Sequence, residues 1–223
     1  MRTKILCLSV VLVAACVSAA QFSDDFNRTS TPFVTQDEAA QIGEGWKTES
    51  PGGAWRILNQ QLTSKVPAEI PKPIIYNTAM VTKPGNGSGF MLSGTVTMKT
   101  ENRTALAGLV CNYQNSNEQY VFRYSAAGLV QFLRKNSADA VLNKVDAFKH
   151  VPGTAYRLTV LCEKPYAFKL TIQNAGTGET VFSQEVTDNK KVYTDGYGGF
   201  YSSCGAAIFD DISFEIIEVK PVI

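Results

Sequence analysis

Two pairs of adjacent aspartates stand at opposite ends of this chain. "QFSDDFNR", residues 21–28, holds Asp24 and Asp25, and "AIFDDISFEI", residues 207–216, holds Asp210 and Asp211. Side chains of a strand alternate between faces. Ile208, Asp210, Ile212, Phe214 and Ile216 then share one apolar face, and Phe209, Asp211, Ser213 and Glu215 share the other. Phe22, Asp24 and Phe26 likewise share a face, with Ser23, Asp25 and Asn27 opposite. Each doublet thus turns one carboxylate toward an apolar face, where it needs hydrogen bonds, an arginine or a metal. If the terminal strands pair, Asp24 and Asp210 come together, and close carboxylates repel unless a cation lies between them. Ca²⁺ accepts carboxylate and backbone oxygens in flexible geometry. Asp24 and Asp210 therefore lead a candidate structural calcium site, with Asp25 and Asp211 in reserve. The competing reading has the aspartates capping loops or bonding backbone amides at the end of a sheet. A bulge would shift the face assignment.

Other reactive constellations are missing. The chain has one histidine, His150, placed in a turn beside "VPG" and expected in solvent. No G-x-S-x-G occurs, and no His/Cys spacing suits zinc. The acids outside the doublets are scattered, mostly beside loops. The reading leans against an enzyme, with an unfamiliar site from Glu118 or Asp195 as the exception.

The elements that would position these residues are strands. "GAWRILNQQLTSK" predicts two strands around a turn near Asn59, and "LAGLVCNYQ" and "QYVFRYS" flank the polar turn "NSNE". "FMLSGTVTMKT" alternates and is rich in Val, Met and Thr, and "LVQFLRK", "YRLTVLCEK", "FKLTIQN" and "TVFSQEV" read as further strands. Turn residues recur at the spacing of an all-β sandwich. "TQDEAAQIG", residues 35–43, predicts one short surface helix, with Thr35 and Glu38 at capping-box spacing. "VPAEIPKP", residues 66–73, is an extended proline-rich loop.

Residues 1–20 read as a signal peptide: a basic start, an apolar stretch too short to span a bilayer, and "SAA" before a cut at Ala20. A second reading takes "VAAC" as a lipobox, with Cys16 as a lipid-anchored N-terminus in the envelope. The remainder, residues 21–223, suits a single sandwich. Of the 21 basic residues, Arg2 and Lys4 leave with the leader, which takes the net charge from +1 to about −1. The basic residues are dispersed, which excludes a nucleic-acid footprint, and no later stretch forms a transmembrane segment. Cys111, Cys162 and Cys204 remain in the mature chain, in a compartment that permits disulfides. They fit buried small hydrophobes or one disulfide with a thiol left over.

"FSDDFNR", "GEGW", "WRILNQQLTS", "LAGLVCNYQNSNEQYVFRYS", "YRLTVLCEK" and "GYGGFYSSCGAAIFDDISFE", in this order, resemble the concanavalin A-like, laminin G-like jelly roll of exported bacterial proteins. The resemblance implies two curved antiparallel sheets with the first and last strands adjacent. The usual Asn-Gly of the early hairpin is Asn59-Gln60 here. Similar folds include laminarinase-type glycosidases, whose E-x-D-x-x-E strand is absent, and 3-keto-disaccharide hydrolase-like domains. Such jelly rolls often carry a calcium near the terminal strands and bind glycans on the concave sheet or its edge loops, by aromatic stacking and polar contacts. The candidates here are Tyr113, Tyr120, Tyr124, Arg123, Tyr197 and Tyr201. Tyr120, Phe122 and Tyr124 share one face of a strand and are expected in the core. Tyr113, Arg123 and Tyr201 are then the expected ligand-binding residues. The resemblance also makes neighbours of "GLVCNY" and "GGFYSSC", and so implies a Cys111–Cys204 disulfide. The expected function is an exported, non-catalytic binding module for glycans or cell-surface material. The alternatives are a glycoside-active enzyme and an envelope structural protein.

Overall fold

The computed structural model describes residues 22–49, 53–65, 74–84, 88–99, 102–136, 138–145 and 148–218. The leader, with its Ala20 and Cys16 readings, and the 66–73 loop lie outside the described residues. Fifteen strands build the described chain: β1 (Phe22–Asp24), β2 (Trp46–Thr48), β3 (Trp55–Leu58), β4 (Gln61–Ser64), β5 (Ile74–Val81), β6 (Ser88–Thr97), β7 (Leu106–Asn115), β8 (Glu118–Ser125), β9 (Val130–Asn136), β10 (Ala138–Val145), β11 (Ala155–Lys164), β12 (Ala167–Asn174), β13 (Thr180–Thr187), β14 (Tyr197–Ser203) and β15 (Ile208–Glu218). They form two antiparallel sheets. The eight-stranded sheet runs β13-β12-β11-β6-β15-β4-β3, with β1 also on β15, and the seven-stranded sheet runs β10-β9-β8-β7-β14-β5-β2.

Alternation makes the core. Leu158, Val160 and Cys162 of β11 and Phe168, Leu170 and Ile172 of β12 face Leu109 and Cys111 of β7 and Tyr120, Phe122 and Tyr124 of β8 in one buried cluster. The 120/122/124 stripe is therefore core, as its period predicts. A fully buried phenylalanine stabilises the fold by about 1.5–3 kcal/mol over an exposed one. Phe90, Phe122, Phe132, Phe200, Phe209 and Phe214 are all 0–1 % exposed. Trp46 and Trp55 are buried beside them.

The terminal strands do pair. Phe22 lies opposite Phe214, and Asp24 opposite Ile212. One edge of β15 thus serves two partners, β4 at Ile208 and Phe209 and β1 from Ile212 onward. Between them the register against β6 shifts, from Asp210 to Ser213, and Asp211 takes a left-handed φ of 47°. This bulge corrects the simple alternation. Phe209, Ile212 and Phe214 face the core, while Ile208 and Asp210 are only half-buried. Asp210 is thus not on the core face, because the extra residue inverts the order of the faces on either side of it.

The 35–43 segment also differs from expectation. It forms a single 3₁₀ turn, Ala39–Gln41, rather than an α-helix. Glu38 reaches back as the spacing predicts and accepts the Thr35 N–H at 3.0 Å. The Thr35 hydroxyl donates to the same carboxylate at 2.9 Å, so it does not cap the turn. The β3–β4 hairpin closes through Asn59 (φ 52°) and Gln60 (φ 62°), both left-handed.

Candidate functional site

The aspartate doublets meet at a cleft of about 740 Å³ lined by Asp24, Asp25, Arg28, Glu44, Arg157 and Asp211. A smaller cavity of about 280 Å³ adjoins it, lined by Gln61, Asp210, Asp211 and Arg157. Within this cleft Asp24 is fully engaged. Its carboxylate pairs with the Arg28 guanidinium and accepts the Trp46 indole N–H and the Phe26 amide N–H, each at 2.8 Å. Asp25 accepts the Asn27 N–H at 3.0 Å. Asp210 accepts from Gln61 Nε2 at 3.0 Å and from the Asp211 N–H. Burial pushes its carboxyl up, the two hydrogen bonds oppose this, and the neighbouring Asp211 and Asp25 add to it. Arg157 stands 3.8 Å from Asp211 in a half-exposed pair. Among the described residues no group of three or more His, Cys, Asp or Glu side chains is arranged to hold a metal. The side chains do not fit a calcium centre led by Asp24 and Asp210, since the Asp24 charge is already met by Arg28. Asp24 and Asp25 each accept the amide N–H two residues on, and Asp211 lies in the β15 bulge.

The outer face of the seven-stranded sheet is built differently. Backbone pairing sets out transverse rows. One runs Gln131, Arg123, Gly108, Tyr201, Ile74, and the next runs Leu133, Val121, Val110, Gly199, Tyr76. The apolar members form a second cluster, separate from the sandwich core, that includes Tyr113. Tyr113, Arg123 and Tyr201 therefore do share this face. They are nevertheless 0 %, 8 % and 2 % exposed, so no whole ring among them is open for stacking. Arg123 Nη1 donates to the Tyr201 hydroxyl at 2.7 Å and Nε donates to Gln131 Oε1 at 3.0 Å. The guanidinium reaches across Gly108, where an added Cβ would come within 2.0 Å of the Phe122 carbonyl oxygen. Only glycine fits there.

Toward one end of this face three tyrosines assemble. The Tyr76 ring lies 4.6 Å from that of Tyr113 and 5.5 Å from that of Tyr197, nearly parallel to the latter at 19°. Tyr76 and Tyr197 are half-exposed. Tyr113 and Tyr197 line a cavity of about 400 Å³ with Lys83, Gln114 and Asp195. Burial, reinforced by the nearby Glu49 carboxylate, raises the Tyr113 and Tyr76 phenols and keeps them as neutral donors. Tyr76, Lys83 and Gln114 were not legible as site residues. They are brought to Tyr113 and Tyr197 by the long-range pairing of β5 and β7 on either side of β14.

The segment 188–196, which carries Asp195, is anchored from inside. Asp188 is 1 % exposed, pairs with the buried Arg134 and accepts the Tyr120 hydroxyl at 2.7 Å. It also accepts the Lys190 N–H at 3.0 Å. Gly196 O accepts the Thr82 N–H at 3.0 Å. This ties the segment to the strands that border the cavity.

Two further expectations are corrected. The three cysteines are free. β7 and β14 are neighbours, but Ser203 pairs opposite Leu106. Cys111 is five residues farther along β7, about 16 Å at ~3.3 Å per residue, against the roughly 4.4–6.8 Å a disulfide spans. Cys111 and Cys162 are buried, which raises both thiols, that of Cys162 to about 12. His150 is half-buried rather than in solvent. It packs against Tyr124, Phe148 and Tyr156, and burial lowers its pKa.

No protein-family model matches the sequence, and no curated protein is similar to it by sequence. Solved structures share the fold. The carbohydrate-binding module CBM66 from Bacillus subtilis superposes with a TM-score of 0.59 at 18 % identity, covering 77 % of this chain and 95 % of that one. Arcelin-5, a lectin-like defence protein from Phaseolus vulgaris, gives 0.57 at 11 %, covering 85 % and 98 %. Xylan β-1,4-xylosidase from Bacillus halodurans C-125 gives 0.57 at 14 %, covering 86 % of this chain but 38 % of the enzyme. At these identities the likeness is one of fold, a lectin-like jelly-roll sandwich.

Proposed function

We propose that this chain is an exported, non-catalytic glycan-binding module that takes its ligand at the tyrosine end of the seven-stranded sheet. One observation carries the reading: the stacked Tyr76 and Tyr197 rings beside a cavity lined by Lys83, Gln114 and Asp195. A sugar presents an apolar ring face and a rim of hydroxyls, and this pairs an aromatic surface with a cation, an amide and a carboxylate. The cavity, about 400 Å³, falls in the size range of small-ligand sites, roughly 300–1,000 Å³. The likeness to carbohydrate-binding modules and lectins agrees with this reading. The leader supports export, with a lipid anchor at Cys16 as the alternative that fatty-acid labelling separates.

The non-catalytic part rests on the acids. The seven strands of this sheet carry two acidic residues, Glu118 on β8 and Asp139 on β10, and the cavity is lined by one, Asp195. Hydrolysis with retention needs two carboxyls about 5 Å apart. A hydrolase reading is favoured by one feature, the raised Asp210 beside Asp25 and Asp211 in the terminal cleft. Release of reducing sugar from a polysaccharide panel, lost in Asp210→Asn, would establish it.

A glycan array probed with the mature protein and with Tyr197→Ala tests the binding reading. Stacking on an aromatic ring gives about 0.5–1.5 kcal/mol, so the variant should bind roughly three- to tenfold more weakly. An array without a hit would overturn it.

A further inference from the structure

We infer that the ligand of this face carries a carboxylate, which makes it an acidic, uronate-containing glycan with its charge seated at Arg123. The inference rests on the glycan reading above and names the substrate class of the same face.

Arg123 is 8 % exposed, and no carboxylate among the described residues pairs with it. The ion pairs of the described chain join Arg28 to Asp24, Arg134 to Asp188 and Arg157 to Asp211. The partners of Arg123 are neutral: Gln131 Oε1, the Tyr201 hydroxyl and the Tyr201 ring 5.3 Å from the guanidinium carbon. A guanidinium stays charged at any pH the protein meets. Holding that charge nearly out of water without a counter-charge is costly, and the contrast with Arg134, equally buried but paired with Asp188, is direct.

Geometry agrees with a ligand in place of the missing partner. A guanidinium has five N–H donors. Two are used, Nε to Gln131 and one on Nη1 to Tyr201. Three remain, both on Nη2 and the second on Nη1, and a carboxylate takes two parallel hydrogen bonds from one N–H of Nη1 and one of Nη2. Gln131 and Tyr201 lock the plane of the group, so little ordering is left for the ligand to bring about. Gly108 pairs with both Arg123 and Tyr201 and puts no side chain between them, so the guanidinium reaches the Tyr201 hydroxyl directly. The tyrosine stack lies on the same face, in the rows next to it. An oligosaccharide with a ring at the half-buried Tyr76 and Tyr197 would meet Arg123 with its carboxylate at the exposed 8 % of that residue.

The test is affinity electrophoresis and calorimetry with matched polysaccharides. Polygalacturonate, glucuronoxylan and alginate are each compared with their carboxyl-reduced forms, for the mature protein and for Arg123→Gln. The expected result is at least tenfold tighter binding of one acidic member than of its reduced form, and loss of that preference in the variant. Because Arg123 supports neighbouring side chains, the unmodified protein gives an independent readout. Its affinity for the acidic member should fall with added salt, while its affinity for a neutral glycan should not. Equal binding of acidic and reduced forms, or binding of neutral glycans alone, would overturn the carboxylate inference and leave the glycan reading intact. Absence of binding to every glycan, charged or neutral, would overturn both.

Discussion

The Asp24 carboxylate accepts the indole N–H of Trp46 at 2.8 Å and holds the Arg28 guanidinium in an ion pair. One residue of the first strand thereby fixes the indole that packs against Phe22, Phe26 and Phe200. Asp24→Ala leaves the indole N–H and the Phe26 amide without their acceptor. It should cost about 2–3 kcal/mol of stability, read from the urea midpoint. Asp24→Asn keeps one acceptor oxygen and should cost about 1 kcal/mol.

The same engagement predicts that the terminal cleft does not respond to calcium. Melting midpoints in EDTA and in millimolar Ca²⁺ should coincide. A rise with Ca²⁺ would show selective binding to the folded state and would return Asp25, Asp210 and Asp211 to the role of ligands.

Gln60 sits in the left-handed region at φ 62° without a compensating glycine. Two-residue hairpins of this twist favour Asn-Gly, and a side chain there costs about 1–2 kcal/mol. Gln60→Gly should therefore raise stability by about 1 kcal/mol, visible as a higher denaturant midpoint with an unchanged slope.

Asp210 is shifted upward, first by burial and further by the negative Asp211 and Asp25. Its ionised form is therefore disfavoured in the folded state relative to the unfolded one. The sign follows: the group costs nothing below its unfolded value of about 4. As pH rises through the folded value the protein loses stability, and above it the full penalty remains. Asp210→Asn should raise the melting temperature at pH 7, and the gain should disappear near pH 3. A gain that is constant with pH would contradict the shift.

Local pattern carried much of the architecture. The hairpin around Asn59, the β7–β8 pair around "NSNE" and the core stripe Tyr120, Phe122, Tyr124 follow from period and turn residues. The bulge did not, because Asp211 is a non-glycine residue in left-handed conformation and nothing local marks it. One extra residue there places Asp210 off the core face. β10 was missed because "ADAVLNKV" does not alternate cleanly, and its register against β9 shifts between Val141 and Asn143. The start of β5 directly follows the proline-rich segment, so nothing local marks a strand at Tyr76. The tyrosine cluster depends on β5, β14 and β7 lying side by side, a pairing between residues that are distant in sequence.

The most direct test of the glycan site is its position on the molecule. Backbone amide shifts of the isotope-labelled mature protein, followed during titration with an array-positive oligosaccharide, map the contact surface residue by residue. The predicted result is that perturbations concentrate on Tyr76, Lys83, Gln114, Asp195 and Tyr197 and extend along the sheet to Arg123. Perturbations confined to Asp25, Arg157 and Asp211 at the terminal cleft would contradict it and place the ligand on the opposite sheet.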